Sequence, residues 1–213
     1  MVSEGLISKK IKRRICYVLS HLPQGGAERQ TINLIRKLDP EEFDITLVLY
    51  ANQEIFYKEI LQLPVRIISS SAYSKCKLIK NLKGAIFLRK VLSRHQFDII
   101  HTLLFHNGLW VRLLAPVRYS GRIIYSIRNS LEQASFFERS VEKLLHFRSI
   151  TVTNSHFVLD QYKNLVKSCC SESCLMIYNG IEVEKFKVDE APVVNDSIVI
   201  GTVGRQTPLK NQI

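Results

Sequence analysis

The chain has 213 residues, of which 46% are hydrophobic, and its 30 Lys and Arg against 19 Asp and Glu give a net charge of +11 at pH 7. It is long enough for a domain with a sizeable core, and its charge favours anionic partners such as phosphorylated substrates, anionic lipid or nucleic acid. No apolar run reaches the roughly 18 residues of a membrane span, and the start is polar and basic. We therefore expect neither a transmembrane segment nor a secretory signal.

The cysteines predict neither a metal site nor a disulfide framework. Their number, five, is odd, and Cys16 falls in a predicted strand. The spacing of Cys169, Cys170 and Cys174 fits no common zinc pattern, and no His is close by. We expect free thiols in a reducing cytosol, with no metal and no cofactor.

The first structured stretch is a strand, a glycine loop and a helix. Residues 15–20 form an apolar run of strand length, which predicts a strand buried on both faces. Helical spacing begins at residue 27 and ends at residue 38. Between them, Gly25 and Gly26 have no side chain, so a ligand can approach their backbone beside a helix N-terminus that favours anions. The alternative is a tight turn that needs glycine for steric reasons. No third glycine follows at the spacing of a dinucleotide fingerprint.

The rest of the first part of the chain alternates between strands and helices. Further strands are predicted at 43–50, 65–68, 97–101, 122–127, 149–153 and 174–178, and helices at 53–63, 77–96, 107–117, 136–147 and 155–167. This order predicts an α/β fold with a doubly wound, Rossmann-like parallel sheet. Ligands bind such sheets beyond the carboxyl ends of the strands. The polar residues predicted at those ends are Gly25, Gly26, His101, Arg128, Asn129, Asn154, Ser155, Asn179 and Gly180.

The ends of the chain differ from this pattern. Residues 1–13 form a basic arm, residues 14–180 the domain just described, and residues 181–196 a charged linker. Residues 197–213 are predicted to form one new strand followed by a polar loop that precedes a helix. One strand cannot bury itself, so we expect a second domain that is truncated.

Five short motifs resemble glycosyltransferase family 4. They occur in the family's order and are GGAER (25–29), FDIIHTLLFH (97–106), NSHFV (154–158), YNGIEVEKF (178–186) and VGRQTPLKN (203–211). The family consists of retaining enzymes with the two-domain GT-B fold. The resemblance implies a complete N-terminal acceptor domain, a Rossmann-like half of that fold, followed by the start of the C-terminal donor domain.

The resemblance also implies residues that bind the donor. Gly25 and Gly26 would lie under the donor phosphates and the transferred sugar, and Arg205 and Lys210 match the residues that hold the nucleotide-sugar diphosphate. A diphosphate leaving group gains negative charge in the transition state, and fixed cations stabilise that charge more than they stabilise the ground state. Without the resemblance, both cations would read as ordinary surface charges.

Two histidines are candidate catalytic residues. Many family members carry His-x-His after the fourth strand, but the second position here is Leu103. His101 is present, and the next imidazole is His106. His101 has the alternative of a structural hydrogen-bonding role, whereas His106, at the start of a helix, is the better candidate for a substrate contact.

A larger departure concerns the donor domain. The family's paired glutamates, Glu-x7-Glu, would lie beyond residue 213, so we expect a truncated chain that is inactive alone. Arg128 and Asn129 follow the fifth strand and are predicted to contact acceptor or donor in the cleft; the alternative is an Arg that caps a loop.

The long helix at 77–96 is strongly basic. No Asp or Glu occurs from residue 60 to residue 97, and Leu78, Leu82, Ala85 and Leu92 are predicted to face the sheet. Cations around an exposed aromatic suit an anionic membrane, although a solvated helix face is the alternative. Nucleic acid is disfavoured because no stacking platform accompanies the charge. The predicted membrane-facing residues are Lys80, Lys83, Phe87, Lys90 and Arg94.

Taken together, the sequence predicts a glycosyltransferase that moves a sugar from a nucleotide-sugar donor to a glycan or lipid-linked acceptor in polysaccharide or glycoconjugate assembly. We expect it in the cytoplasm, peripheral to the inner face of the cytoplasmic membrane. The alternatives are a non-catalytic module that binds acceptor or membrane, and a sugar-nucleotide epimerase of the same architecture.

Overall fold

A computed structural model describes residues 11–22, 25–51, 58–70, 76–132, 134–167, 173–186 and 201. The strands are β1 (Arg13–Leu19), β2 (Phe43–Leu49), β3 (Val65–Ser69), β4 (Ile99–Leu103), β5 (Ile123–Ile127), β6 (Ile150–Thr153) and β7 (Cys174–Met176). The helices are α1 (Gly26–Lys37), α2 (Lys77–Arg94), α3 (Phe105–Leu114), α4 (Phe136–Leu145) and α5 (His156–Val166).

The seven strands form one parallel sheet in the order β3-β2-β1-β4-β5-β6-β7. The order reverses at β1, where Ile15 is paired with Ile45 of β2 on one side and with Ile99 of β4 on the other. This is the predicted α/β, Rossmann-like fold. The connections that follow β1 and β4 therefore run in opposite directions along the sheet. This makes the gap between the two strand ends a topological switch point, where open α/β sheets bind ligands.

Alternate residues of β1 serve two different cores. Tyr17 and Leu19 pack with Ile32 of α1 on one face of the sheet. Cys16 and Val18 pack on the other face with side chains of α2 and α3. Both faces are apolar because parallel sheets are covered on both sides, which is why the buried residues 15–19 of β1 include no charged side chain.

The fourth strand is shifted from its predicted position. It was expected at 97–101 with His101 at its carboxyl end, but β4 runs from Ile99 to Leu103 and His101 lies in its middle. The cause is the pairing with β5, which joins Thr102 to Tyr125 and Leu103 to Ser126 and so carries the strand two residues further. After β4 the chain passes through Leu104 alone and enters α3 at Phe105.

Other predicted elements need smaller corrections. Only the end of the helix expected at 53–63 is described, and there it is a 3-10 turn, Lys58–Gln62. Cys16 and Cys76 form no disulfide, whereas Cys174 is disulfide-bonded, so the expectation of free thiols is wrong for Cys174. Within the described part of the chain, no helix is both long and apolar enough to cross a membrane.

The chain divides into two compact units, residues 1–180 and 181–213. The first unit holds the sheet and all five helices named above. In the second unit the structure describes a 3-10 turn, Val183–Phe186, and Gly201. The strand predicted at 197–203, together with Arg205 and Lys210, lies outside the described residues.

Candidate functional site

A cavity of about 230 Å³ opens at the carboxyl ends of β4 and β5. Leu104 and Phe105, which follow β4, form one part of its wall. Arg128, Asn129 and Ser130, which follow β5, form another. The structure thus brings together Arg128 and Asn129, the two predicted cleft residues, at a concave site beside strand ends.

In the part of the chain that the structure describes, Arg128 is one of two arginines that line this cavity, the other being Arg139. Its Nη1 donates a hydrogen bond to Oδ1 of Asn179, but its buried Nε has no hydrogen-bond partner among the described residues. Burial lowers the pKa of Arg128 from its ordinary value, although an arginine stays charged in any case. A buried N–H without a partner costs free energy, so an anion that accepts from it would be bound favourably.

The loop that carries Arg128 is held in place at both sides. Leu131 N donates to Oε1 of Gln161 on α5 at 2.9 Å, and Ser130 Oγ donates to the same oxygen at 3.2 Å. From α4, the Arg139 guanidinium donates to the carbonyl oxygens of Leu131, Glu132 and Ala134. The cavity wall is therefore preorganised rather than formed by a free loop.

The part of the cavity wall that follows β4 contains a strained residue. Leu104 has φ 67° and ψ 151°, a left-handed conformation that is costly for a branched side chain. It is fixed there because its N–H donates to the Ser126 carbonyl at 3.1 Å and its side chain packs in the core. Next to it, Gly108 lets α3 approach β5 closely, since a Cβ at Gly108 would collide with the Tyr125 ring.

Asn107 is a structural residue of the site that the sequence reading did not single out. Its buried Oδ1 accepts from Ser20 N at 3.0 Å and from Tyr50 Oη at 2.9 Å, and its Nδ2 donates to Leu103 O at 2.8 Å. Asn107 thus ties together the carboxyl ends of β1, β2 and β4. The signal in the sequence was an amide within a mostly apolar helix that also carries His106 and Arg112, and that signal is weak.

His101 is a neutral group in the middle of β4. Its Nε2 shares a hydrogen bond with Ser126 Oγ at 2.9 Å, and its ring lies 5.2 Å from that of Tyr17. Burial, together with the charge of Arg128, lowers the pKa of His101 to about 4. At neutral pH it therefore has no proton to donate as an imidazolium, and this geometry fits the structural alternative.

His106 lies on the exposed side of α3. Its Nε2 accepts a hydrogen bond from Trp110 Nε1 at 3.2 Å, and the two rings meet edge to face. The cavity-lining residues, as far as the chain is described, include neither His101 nor His106. The role of each histidine in catalysis stays a prediction.

The glycine turn forms a separate feature at the N-terminus of α1. Gly25 is the N-cap, and Gly26 is the first helical residue with open space around it. The Glu28 side chain is buried and lies so close to Gly25 that a Cβ there would collide with its carboxylate. A negative group already occupies the positive end of this helix, so a donor phosphate would have to displace Glu28 or bind beside it.

Helix α2 presents a different outer face from the predicted one. Lys83, Lys90 and Arg94 are exposed, and Lys80 is half-buried. Phe87, however, packs against the core formed by α2 and α3 instead of standing exposed among the cations. Leu82 was expected to face the sheet but is exposed, as are Ile79 and Ile86. The error arose because α2 is apolar on two sides, so its pattern allowed two orientations.

The family profile described as "Glycosyltransferase Family 4" matches residues 24–185, which is most of the chain. The chain belongs to glycosyltransferase family 4. The match includes the glycine turn, β4 and the whole cavity wall, whereas Arg205 and Lys210 lie beyond it.

Two curated relatives of the chain are named as glycosyltransferases. The chain is 25% identical over 223 residues to "Putative glycosyltransferase EpsF" of Bacillus subtilis (strain 168), covering 94% of this chain and 56% of the relative. It is 24% identical over 209 residues to "UDP-Gal:alpha-D-GlcNAc-diphosphoundecaprenol alpha-1,3-galactosyltransferase" of Escherichia coli. That match covers 88% of this chain and 52% of the relative. The chain therefore spans about half the length of these relatives.

A solved structure shows the fold. A glycosyltransferase from Rickettsia africae ESF-5 superposes with a TM-score of 0.60 at 18% identity, covering 82% of this chain and 45% of that one. The sheet of this family 4 chain is thus one Rossmann-like half of a GT-B architecture.

Proposed function

We propose that these 213 residues form the acceptor-binding half of a glycosyltransferase that moves a sugar from a nucleotide-sugar donor to a lipid-linked or glycan acceptor. The observation that carries the proposal is the preformed cavity beyond β5 with the buried, unpartnered Nε of Arg128. A diphosphate is the group of such an acceptor that an arginine would recognise, because its oxygens accept charge-assisted hydrogen bonds.

The acceptor class is suggested by a relative. The E. coli protein is named for transfer of galactose to a GlcNAc-diphosphoundecaprenol. A diphosphate attached to a lipid is compatible with Arg128 in the cavity and with the net charge of +11 on the chain. We therefore take a sugar on a lipid diphosphate as the favoured acceptor.

The remaining roles follow from the family pattern. In this proposal, Arg205 and Lys210 hold the donor diphosphate, Gly25 and Gly26 approach the donor, and His106 contacts the substrate. His101 acts as a neutral hydrogen-bonding group, because its pKa is about 4.

The site is also proposed to work at a membrane. The outer face of α2 combines exposed Leu82 and Ile86 with the cations Lys83, Lys90 and Arg94. Apolar side chains flanked by cations bind anionic lipid through both area and charge. We place the protein in the cytoplasm, peripheral to the membrane that carries its acceptor.

The test is a binding titration with a short-chain acceptor, farnesyl diphosphate linked to N-acetylglucosamine. We expect saturable binding that weakens roughly tenfold or more in Arg128→Gln, since a hydrogen bond to a charged group contributes about 1.5–3 kcal/mol. Arg122→Gln is the matched control, because Arg122 is an exposed arginine at the opposite end of β5. Absence of binding, or equal losses in both variants, would contradict the proposal.

A further inference from the structure

Several large apolar residues of α4 and of the turn after it are exposed. They are Phe136 (87% exposed), Phe137 (62%), Leu144 (68%) and Phe147 (67%), which the helical repeat brings to one side. We call these four residues the α4 aromatic patch. Three exposed phenylalanines within twelve residues are far more than the scattered apolar residues of an ordinary surface, and such a patch marks an interaction site.

The inner side of α4 explains why the helix is oriented this way. The residues that it buries are Glu142 and Leu145. Glu142 accepts two hydrogen bonds at 2.8 Å from Arg112 of α3, and both side chains are almost fully buried. Turning the aromatic patch inward would expose this ion pair or separate it. The outward patch is therefore fixed by the fold and is not a fraying helix end.

The helical layer that carries the patch is basic as a whole. Beside the patch itself, Arg139 and Lys143 of α4 are exposed, Glu132 is exposed and Glu138 is half-buried. Helix α4 contacts α3, and α3 contacts α2, so the patch lies in the same helical layer as the exposed cations of α2. Residues 77–149 contain 13 Lys and Arg and 4 Asp and Glu.

We propose that the α4 aromatic patch inserts into the interface of an anionic membrane. Large apolar side chains at the level of the headgroups, flanked by lysine and arginine, are the composition of a helix that lies on an anionic bilayer. Charge complementarity decides between a bilayer and a second copy of the chain, because two such basic faces would repel each other.

The patch adjoins the acceptor cavity. Glu138, Arg139 and Glu142 of α4 line the same cavity as Arg128. A bilayer at α4 would bring a lipid diphosphate to the cavity mouth while its chain stays in the membrane. This last step rests on the proposed function, but insertion of the patch does not.

The first experiment is sedimentation of the 213-residue chain with vesicles of phosphatidylcholine alone or mixed with phosphatidylglycerol. We expect binding to the mixed vesicles, reduced roughly tenfold or more in the Phe136→Ser/Phe147→Ser variant. The control variant is Leu34→Ser/Leu61→Ser, which removes two exposed leucines from α1 and the 3-10 turn after β2. Its binding should change less than about twofold.

A second readout locates insertion directly. Trp110 is the only tryptophan, so Phe147→Trp in a Trp110→Phe chain places one reporter in the patch. We expect quenching by brominated phosphatidylglycerol lipids at position 147, and none for Leu61→Trp in the same background. Neither measurement needs a sugar donor or acceptor, so failure of the transferase proposal would leave these results unchanged.

Three outcomes would overturn the inference. They are absence of binding to anionic vesicles, equal losses in the patch and control variants, and a reporter at position 147 that stays unquenched in the bound protein. A dimer in analytical ultracentrifugation that the Phe136→Ser/Phe147→Ser variant abolishes would instead assign the patch to a second copy.

Discussion

Arg112 and Glu142 form a doubly hydrogen-bonded ion pair in the core, between α3 and α4. Arg112 Nη1 and Nη2 each donate to one carboxylate oxygen of Glu142 at 2.8 Å. Tyr125 Oη donates to the same carboxylate at 3.1 Å, and the Arg112 guanidinium lies over the Tyr125 ring. Burial and the Glu142 charge raise the pKa of Tyr125, so this phenol remains protonated. The network joins two helices and one strand at the back of the cavity.

Removing one partner of this pair should be costly. In Glu142→Gln the Arg112 charge stays buried without a counter-charge, so we expect the free energy of unfolding to fall by about 3–5 kcal/mol in urea titrations followed by circular dichroism. The control is Glu41→Gln, which removes a solvent-exposed ion pair with Lys12 and should cost less than about 1 kcal/mol. The double variant Arg112→Met/Glu142→Leu should recover much of the loss. Equal losses of stability in Glu142→Gln and Glu41→Gln would contradict the burial of the Arg112–Glu142 ion pair.

His101 should make the fold sensitive to mild acid. Its folded-state pKa, about 4, is below the ordinary 6.5, so the unfolded chain takes up a proton first as the pH falls. The folded state should therefore lose up to about 3 kcal/mol between pH 6.5 and pH 4 from this group. The His101→Gln variant has no such group. Between pH 6.5 and pH 4 its free energy of unfolding should therefore fall less than that of the unsubstituted protein. Parallel pH profiles would show that His101 is not buried as described.

The cause of the low pKa of His101 can be tested separately. Burial is the larger cause, and the charge of Arg128 adds to it. Arg128→Gln should therefore raise the pKa of His101, measured by NMR titration of the imidazole. Arg122→Gln should leave it unchanged. A pKa that does not respond to loss of Arg128 would place the two side chains further apart than the structure does.

The contact of α3 with β5 gives a packing test. In Gly108→Ala the new methyl group meets the Tyr125 ring, which is held by its hydrogen bond to Glu142 and cannot move freely. We expect a loss of about 1–3 kcal/mol in the free energy of unfolding. Gly26→Ala is the matched control, because its methyl group would enter open space and the change should be within about 0.5 kcal/mol or stabilising. Similar values for both would contradict the close approach at Gly108.

The sequence predicted the sheet well because parallel strands are continuous apolar runs. The end of β4 was missed, since pairing with β5 extends it through Thr102 and Leu103 and a run of apolar letters does not show where pairing stops. The outward side of α2 was also missed, because periodicity shows that a helix has faces but not which of two apolar faces meets the sheet.

The candidate site was predicted only in part. Arg128 and Asn129 could be found because they directly follow a strand, and the structure places both in one cavity. The hydrogen bonds that Asn107 Oδ1 accepts from Ser20 and Tyr50 could not be found in this way, nor could the pairing of Arg112 with Glu142. Each joins residues 30 or more positions apart that only the fold brings together. Arg205 and Lys210 lie outside the described residues, and their roles stay predictions.

Hydrogen exchange with and without the farnesyl diphosphate-linked N-acetylglucosamine acceptor tests the central claim most directly. If the cavity beyond β5 binds the acceptor, amides at 104–108 and 127–131 should exchange more slowly in its presence. The same change should be absent in Arg128→Gln and retained in Arg122→Gln. Unchanged exchange in both loops at saturating acceptor, or protection confined to other parts of the chain, would contradict the account.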